Sequence, residues 1–336
     1  MNPLILPASL VVRAGSLVKN FLYEKGLFKP KPAPIPVISL GNISFGGTGK
    51  TPLAMELLAW TLKQGFRPAL ISRGYKGRWE KRGGVLADGR NLLGTWREAG
   101  DEPFLAALAN PEAGVFIGRD RLSSCRAAAG MGFNIALLDD GFQHRRLGRG
   151  IDIVLYDPGD RAALREPISS LYRSDILLVK NKSMIPARLK KILNPRHRIF
   201  EYRVTARGYR RSGSEGLLPT DLLLGKKILA FCGIARPERF FRLLEELGAE
   251  VGRSLAYPDH YPYRERVLQK IALCSRKAGA AAAVTTEKDA VRLAEARWPH
   301  DQVPLYILKI GIDVEAGFSN ILREFLVAHL GKSQSH

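Results

Sequence analysis

The sequence predicts an α/β fold built on a mostly parallel sheet with helices on both faces. Apolar runs short enough for buried strands recur between helix-like segments. One of them, residues 35–41, leads into the glycine-rich loop Ser44-Phe45-Gly46-Gly47-Thr48-Gly49-Lys50-Thr51, and a helix-like run over 52–62 follows. Another, residues 134–138, ends on Asp139-Asp140.

Strand, glycine loop, Lys-Thr and helix in that order are the context of a phosphate-binding P-loop. Glycines let the backbone wrap closely around phosphate oxygens, so that amides and the helix N-terminus face negative charge. Lys50 is expected to reach the terminal phosphates and the Thr51 hydroxyl to ligate Mg²⁺. Ser44 stands where the usual pattern has its first glycine. That changes the entry turn and leaves the Lys-Thr chemistry intact.

A chain of 336 residues exceeds what one domain usually needs. With 46% hydrophobic and 25% charged residues it reads as a folded soluble or peripheral protein. No apolar run reaches the roughly 18–20 residues of a membrane span, and the first residues lack the pattern of a secretory signal. The three cysteines, Cys125, Cys232 and Cys274, have no metal spacing and are expected to be reduced thiols in the cytoplasm. A formal charge of +20 narrows the partners to nucleic acid, an anionic membrane surface or heavily phosphorylated substrates. No helix-turn-helix signal or aromatic-studded basic strand supports nucleic acid.

Taken in order, the elements begin with a helix whose Leu10, Val11, Ala14, Leu17, Val18, Phe21 and Leu22 share one face. Arg13, Ser16, Lys19 and Asn20 lie off it. Such a basic amphipathic helix either lies in a lipid interface or packs its apolar face on the domain. The Lys29-Pro30-Lys31-Pro32-Ala33-Pro34 run then breaks it. A strand over 68–72 ends in Arg73-Gly74-Tyr75, and in open α/β sheets that edge binds ligands. Residues 78–100 read as a hairpin excursion, and Asp101-Glu102-Pro103 opens a helix to about Ala109. A strand over 115–118 precedes Arg119, Asp120 and Arg121 at a helix start.

The strand ending on Asp139-Asp140 resembles the acidic strand end with which P-loop enzymes hold Mg²⁺. His144, four residues on, reads either as a substrate contact or as a structural histidine. Strands over 151–157 and 175–180 complete the sheet. After the last comes Asn181-Lys182-Ser183-Met184, with methionine where a guanine-reading Asp would stand, which leaves ATP as the expected nucleotide. Residues 185–225 are irregular, and a boundary is expected there. A second, smaller α/β unit follows, with strands over 227–233, 251–256, 281–286 and 305–309 and a last helix over 314–330. Within it, Asp259-His260 lies on a loop, as a surface turn or as a histidine able to orient a carboxylate. The expected domains are thus 1–32 (amphipathic helix and linker), 33–210 (P-loop nucleotide domain) and 211–330 (smaller C-terminal α/β domain).

Six motifs together resemble one family. They are Gly46-Gly47-Thr48-Gly49-Lys50-Thr51-Pro52, Ser72-Arg73-Gly74-Tyr75, Gly100-Asp101-Glu102-Pro103, Asp139-Asp140-Gly141-Phe142-Gln143-His144, Asp259-His260 and Thr285-Thr286-Glu287-Lys288-Asp289. In this order they are similar to the tetraacyldisaccharide 4'-kinases, the lipid A 4'-kinases of Gram-negative bacteria. The resemblance implies transfer of the ATP γ-phosphate to the 4'-hydroxyl of an acylated glucosamine disaccharide 1-phosphate. It also implies a P-loop NTPase-like larger domain, a smaller domain closing a cleft, and peripheral attachment at the cytoplasmic face of the inner membrane. No nucleic acid and no obligate protein partner is expected.

Carried over residue by residue, the resemblance implies Asp101 as catalytic base, His260 as its partner and Lys50 as a catalytic cation. Residues 44–51 would bind ATP. Thr51, Glu102, Asp139 and Asp140 would hold Mg²⁺, directly or through water, and Arg73, Tyr75 and Arg121 would contact substrate or phosphate. The alternative to the resemblance is a P-loop ATPase acting on a protein partner or on a different glycolipid.

Overall fold

The computed structural model describes residues 5–159, 164–193, 197–293, 296–299 and 301–331, with side chains from residue 15 onward. The chain divides into two compact units, one of residues 1–203 and 312–336, the other of residues 204–311.

In the first unit, helix α1 (Ile5–Glu24) precedes strand β1 (Val37–Asn42), helix α2 (Lys50–Lys63) and strand β2 (Pro68–Ser72). Next come α3 (Trp79–Arg82), β3 (Gly84–Asp88), α4 (Trp96–Ala99), α5 (Asp101–Ala109), β4 (Gly114–Ile117) and α6 (Arg121–Gly130). Strands β5 (Ile135–Leu138), β6 (Ile151–Tyr156) and β7 (Ile176–Val179), the short α7 (Ala187–Lys190) and strand β8 (Arg198–Arg211) complete the run. The sheet order is β8-β7-β6-β1-β5-β2-β4-β3, parallel except for the edge strand β3. Strands β1, β2, β5, β6 and β7 are buried at every position, which is why they read as continuous apolar runs.

β1 lies between β5 and β6, so the chain order reverses beside it. Open α/β sheets bind ligands at such a switch point, beyond the carboxyl ends of the strands. The P-loop follows β1, the Arg73 loop follows β2, and Asp139 follows β5, all at that edge. Gly41, next to last in β1, lies against Phe142, where an added Cβ would stand 2.4 Å from the Phe142 Cβ. Gly41→Ala is expected to cost about 1–3 kcal/mol by overpacking, measured as a lower Cm in urea.

The second unit carries the later part of β8, β9 (Leu217–Leu218), β10 (Lys227–Cys232), α8 (Pro237–Glu246) and β11 (Glu250–Ala256). Then follow α9 (Glu265–Lys277), β12 (Ala282–Thr286), α10 (Glu287–Leu293) and β13 (Leu305–Val314), whose last residues belong to the first unit. Its strands run β11-β10-β12-β13-β8. One core gathers Phe240 and Leu244 of α8 with Ile228 and Ala230; the other gathers Leu268 and Ile271 of α9 with Leu229 and Phe231.

Three features differ from the sequence reading. The irregular stretch 185–225 contains β8, a strand of 14 residues whose five arginines mask its alternation. The expected hairpin over 78–100 keeps only a bridge between Ala87 and Leu92; β3 pairs instead with β4, antiparallel. The unit boundary falls at 203/204, and α11 (Phe318–Leu330) returns to the first unit, rather than closing a domain of 211–330. Phe318 there meets Phe200 edge-on at 5.8 Å, and Phe325 lies over Gly150.

α1 docks by its polar side. Asn20 is buried and donates to Glu166 at 2.7 Å, Lys19 donates to the Gln143 carbonyl at 2.8 Å, and Tyr172 bonds Glu24. Glu166 in turn pairs with Arg173. Leu17, Val18 and Phe21 of the same helix are exposed, followed by exposed Leu27 and Phe28. No described helix is long and apolar enough to cross a membrane.

Candidate active site

The loop between β1 and α2 holds Gly46, Gly47 and Gly49 at φ of 74°, 65° and 92°, a region that side chains with a Cβ avoid. The loop thus leads by left-handed backbone turns into the N-terminus of α2 at Lys50. Ser44 and Thr48 are buried, and Thr48 is held by two hydrogen bonds. The Asn42 amide donates to Thr48 Oγ1 at 3.1 Å, and Tyr202 OH donates to the Thr48 carbonyl at 2.9 Å.

Lys50 Nζ donates to Asn42 Oδ1 at 2.9 Å and to Asp140 Oδ1. Arg165 Nη1 reaches the other Asp140 oxygen at 2.6 Å, with its guanidinium over the Phe45 ring. Burial alone would raise the Asp140 pKa, but these two cations hold it well below the usual carboxylate range. Asp140 has φ 50°, a left-handed conformation that Asp tolerates better than most residues.

Asp139 behaves oppositely. Burial and the neighbouring Glu102 and Asp140 carboxylates push it up to about 6, against Lys50 and a 3.0 Å hydrogen bond from Ser72 Oγ. Thr51 Oγ1 donates to Glu102 at 3.0 Å. Glu102, Asp139 and Asp140 thus crowd negative charge beside Thr51 at the end of the phosphate loop.

Asp101 is buried in the first turn of α5, where its Oδ1 accepts from the Glu102 N–H at 3.0 Å. Glycines bring the Arg73 loop against this turn. A Cβ at Gly74 would lie 2.6 Å from the Ala99 carbonyl oxygen, and one at Gly100 3.0 Å from that of Tyr75. Arg73 pairs with Glu80 at 2.6 Å, and Tyr75 is exposed with Lys76 over its ring. Of the two arginines at the start of α6, Arg119 is exposed and Arg121 is buried. Arg121 donates to the Gly118 and Arg119 carbonyls, its Nε has no hydrogen-bond partner among the described residues, and it feels Asp139 and Asp140. Burial lowers its pKa. His144 is held down to about 4 by burial and by Arg121, so it is neutral at physiological pH.

The structure therefore brings together Lys50, Thr51, Asp101, Glu102, Asp139, Asp140 and Arg121 in the first unit, with the Arg73–Tyr75 loop beside α5. His260 belongs to the second unit. Its Nε2 lies 3.6 Å from Asp259, which Lys288 also approaches at 3.5 Å, and its φ is 65°. Sequence reasoning missed Asn42 and Arg165, the partners of Lys50 and Asp140. The polar end of an otherwise apolar strand was a signal for Asn42; nothing in the spacing marked Arg165.

The profile of a family described as tetraacyldisaccharide-1-P 4'-kinase matches residues 1–327. The chain belongs to this family. A tetraacyldisaccharide 4'-kinase of Syntrophus aciditrophicus (strain SB) is 39% identical over 310 residues, covering 85% of this chain and 83% of its own. The same-named protein of Desulfotalea psychrophila (strain LSv54 / DSM 12343) is 34% identical and covers 91% of each. The crystal structure of LpxK from Aquifex aeolicus in complex with ATP superposes with a TM-score of 0.74 at 29% identity, over 96% of this chain and 98% of that one. The fold class read from the sequence is borne out. So is the kinase activity of lipid A biosynthesis that the six motifs implied.

Proposed function

We propose that the first unit binds ATP with Mg²⁺ over residues 44–51 and delivers the γ-phosphate to the 4'-hydroxyl of an acylated glucosamine disaccharide 1-phosphate. The observation that carries this reading is the pairing of Lys50 with Asp140 beside a negatively crowded Asp139. A triphosphate would take up the Lys50 charge, and a dication would relieve the crowding of Asp139, Glu102 and Asp140. Among the described residues no three of His, Cys, Asp or Glu form a metal cage. Mg²⁺ does not require one, since it uses one or two carboxylates with substrate phosphates. Thr51, Glu102, Asp139 and Asp140 would hold it, directly or through water. When bound, it would neutralise charge developing on the phosphate oxygens.

In a loose phosphoryl-transfer transition state the acceptor hydroxyl loses its proton late, so the base mainly positions it. Asp101 takes that role, and His260 of the second unit is assigned a part in the same transfer step. Lys50 stabilises the charge on the phosphates, and Arg73, Tyr75 and Arg121 contact substrate or phosphate groups. The test is transfer from γ-labelled ATP to tetraacyldisaccharide 1-phosphate in detergent micelles. Mg²⁺-dependent label in the lipid supports the reading, and nucleotide binding with no transfer to this lipid overturns it.

The enzyme meets its acylated substrate at the cytoplasmic face of the inner membrane, as a peripheral protein. What supports this is the inverted docking of α1. A helix that spends its polar side on the protein leaves Leu17, Val18 and Phe21 for another apolar phase. Nearby basic residues add ~1 kcal/mol each on an anionic leaflet. Phe21→Glu with Val18→Glu is expected to abolish flotation with vesicles of mixed zwitterionic and anionic phospholipid. Flotation equal to wild type would remove α1 from the membrane contact.

A further inference from the structure

The motif Thr285-Thr286-Glu287-Lys288-Asp289 has no part in the proposed chemistry, yet it builds a fully enclosed polar cluster in the second unit. Asp289 and Arg292, on one face of α10, form an ion pair at 2.7 Å with both side chains inaccessible to solvent. The pair reaches the segment that carries His260 directly, through Tyr261 and Tyr263, and indirectly, through Gly233. Asp289 Oδ1 accepts from the Gly233 N–H and from Tyr263 OH, each at 2.9 Å. Its Oδ2 accepts from Thr286 Oγ1 at 2.5 Å, and the Thr286 hydroxyl oxygen accepts from the Asp289 N–H at 3.1 Å. Arg292 Nη2 donates to the Gly233 carbonyl at 2.9 Å, and its Nη1 to the Tyr261 carbonyl at 3.5 Å.

Gly233 is the hub. Its carbonyl also accepts the His260 N–H, at 3.2 Å. A Cβ there would meet the Pro258 carbonyl oxygen at 3.0 Å and Tyr261 Cβ at 3.1 Å, so the loop rests on bare backbone. His260 itself sits at φ 65°, a conformation that a histidine keeps only when its surroundings impose it. A buried ion pair is an expensive way to gain stability, because apolar residues of similar volume do as well or better. Its use here is geometric: the two charges clamp the two peptide groups that meet at Gly233, and the carbonyl of the second holds the histidine.

We propose that Asp289 and Arg292 are positioning residues for His260, acting through Gly233, with Thr286 and Tyr263 orienting the Asp289 carboxylate. This rests on the role assigned to His260 above. Lysine in place of Arg292 keeps the charge and loses the planar fork that reaches both Gly233 and Asp289. Tyr263→Phe removes one hydrogen bond and no charge, so it serves where Arg292→Lys does not fold.

The full-length enzyme would be assayed in the micelle system, comparing wild type, His260→Ala, Arg292→Lys, Tyr263→Phe and each of the latter two combined with His260→Ala. Arg292→Lys is expected to lower kcat roughly tenfold, less than the ~10²-fold that a 1 Å misplacement can cost. Tyr263→Phe should lose less, and KM for ATP should not change in either. With His260 already removed, both substitutions should have no further effect on kcat. Folded variants with wild-type kcat, or losses that multiply with that of His260→Ala, would overturn the proposal. Wild-type turnover in His260→Ala would overturn it by a different route, by removing the role of His260 itself.

Discussion

Lys50→Ala is expected to lower kcat for phosphate transfer by roughly 10²–10³-fold, the loss typical of removing one preorganised charge from a transition state. Lys50 Nζ is held at the start of α2 between Asn42 Oδ1 and Asp140, with its side chain 14% exposed. It is aimed before nucleotide arrives, so little reorganisation is needed when charge develops. The fold should survive, because Asp140 keeps its 2.6 Å bond to Arg165 and the loop keeps the Thr48 contacts from Asn42 and Tyr202. Lys50→Arg should not rescue, since a planar fork replaces a compact ammonium in a space shaped by Asn42. Steady-state kinetics with the melting temperature checks both points. Turnover within a few fold of wild type would mean that the phosphates bypass Lys50.

Arg165 illustrates what the sequence did not disclose. It lies 25 residues beyond Asp140 and reaches it only because the chain returns to the P-loop, where the Arg165 N–H meets the Ile43 carbonyl. No period or spacing encodes such a contact. The strands of the first unit were legible for the opposite reason, since burial on both faces forces continuous apolar runs. Strand β8 escaped because its half-exposed surface carries arginines in place of that signal. The P-loop, Asp139 and the start of α5 were readable as motifs because phosphate and metal chemistry demands particular residues at fixed offsets. The docking of α1 fell between these cases. Its amphipathic period was plain, but the polar side faces the protein, because Asn20 finds Glu166 in a chain segment 146 residues away. Periodicity defines the two faces of a helix; only long-range partners decide which one turns inward.

Asp101→Asn separates transfer to lipid from nucleotide binding, and its expected effect is a loss of kcat of roughly 10²–10⁴-fold, the range of a positioned general base. The substitution is nearly isosteric. Asparagine Oδ1 can still accept the Glu102 N–H that Asp101 holds at 3.0 Å, so the first turn of α5 and the Thr51–Glu102 bond should persist. What disappears is the oxygen able to take a proton from the acceptor hydroxyl. KM for ATP should therefore stay near wild type while transfer collapses. The neighbouring groups make the distinction sharp: Glu102 bonds Thr51 on the nucleotide side, whereas the Arg73–Tyr75 loop packs against Gly100 on the other. Loss of ATP binding in Asp101→Asn would assign Asp101 to the nucleotide site with Glu102. Undiminished transfer would place the base elsewhere, with Asp139, pushed up to about 6, as the next carboxylate to substitute. Collapse of transfer with intact ATP binding would leave Asp101 as the group that handles the 4'-hydroxyl proton, on a helix turn held by backbone contacts that asparagine preserves.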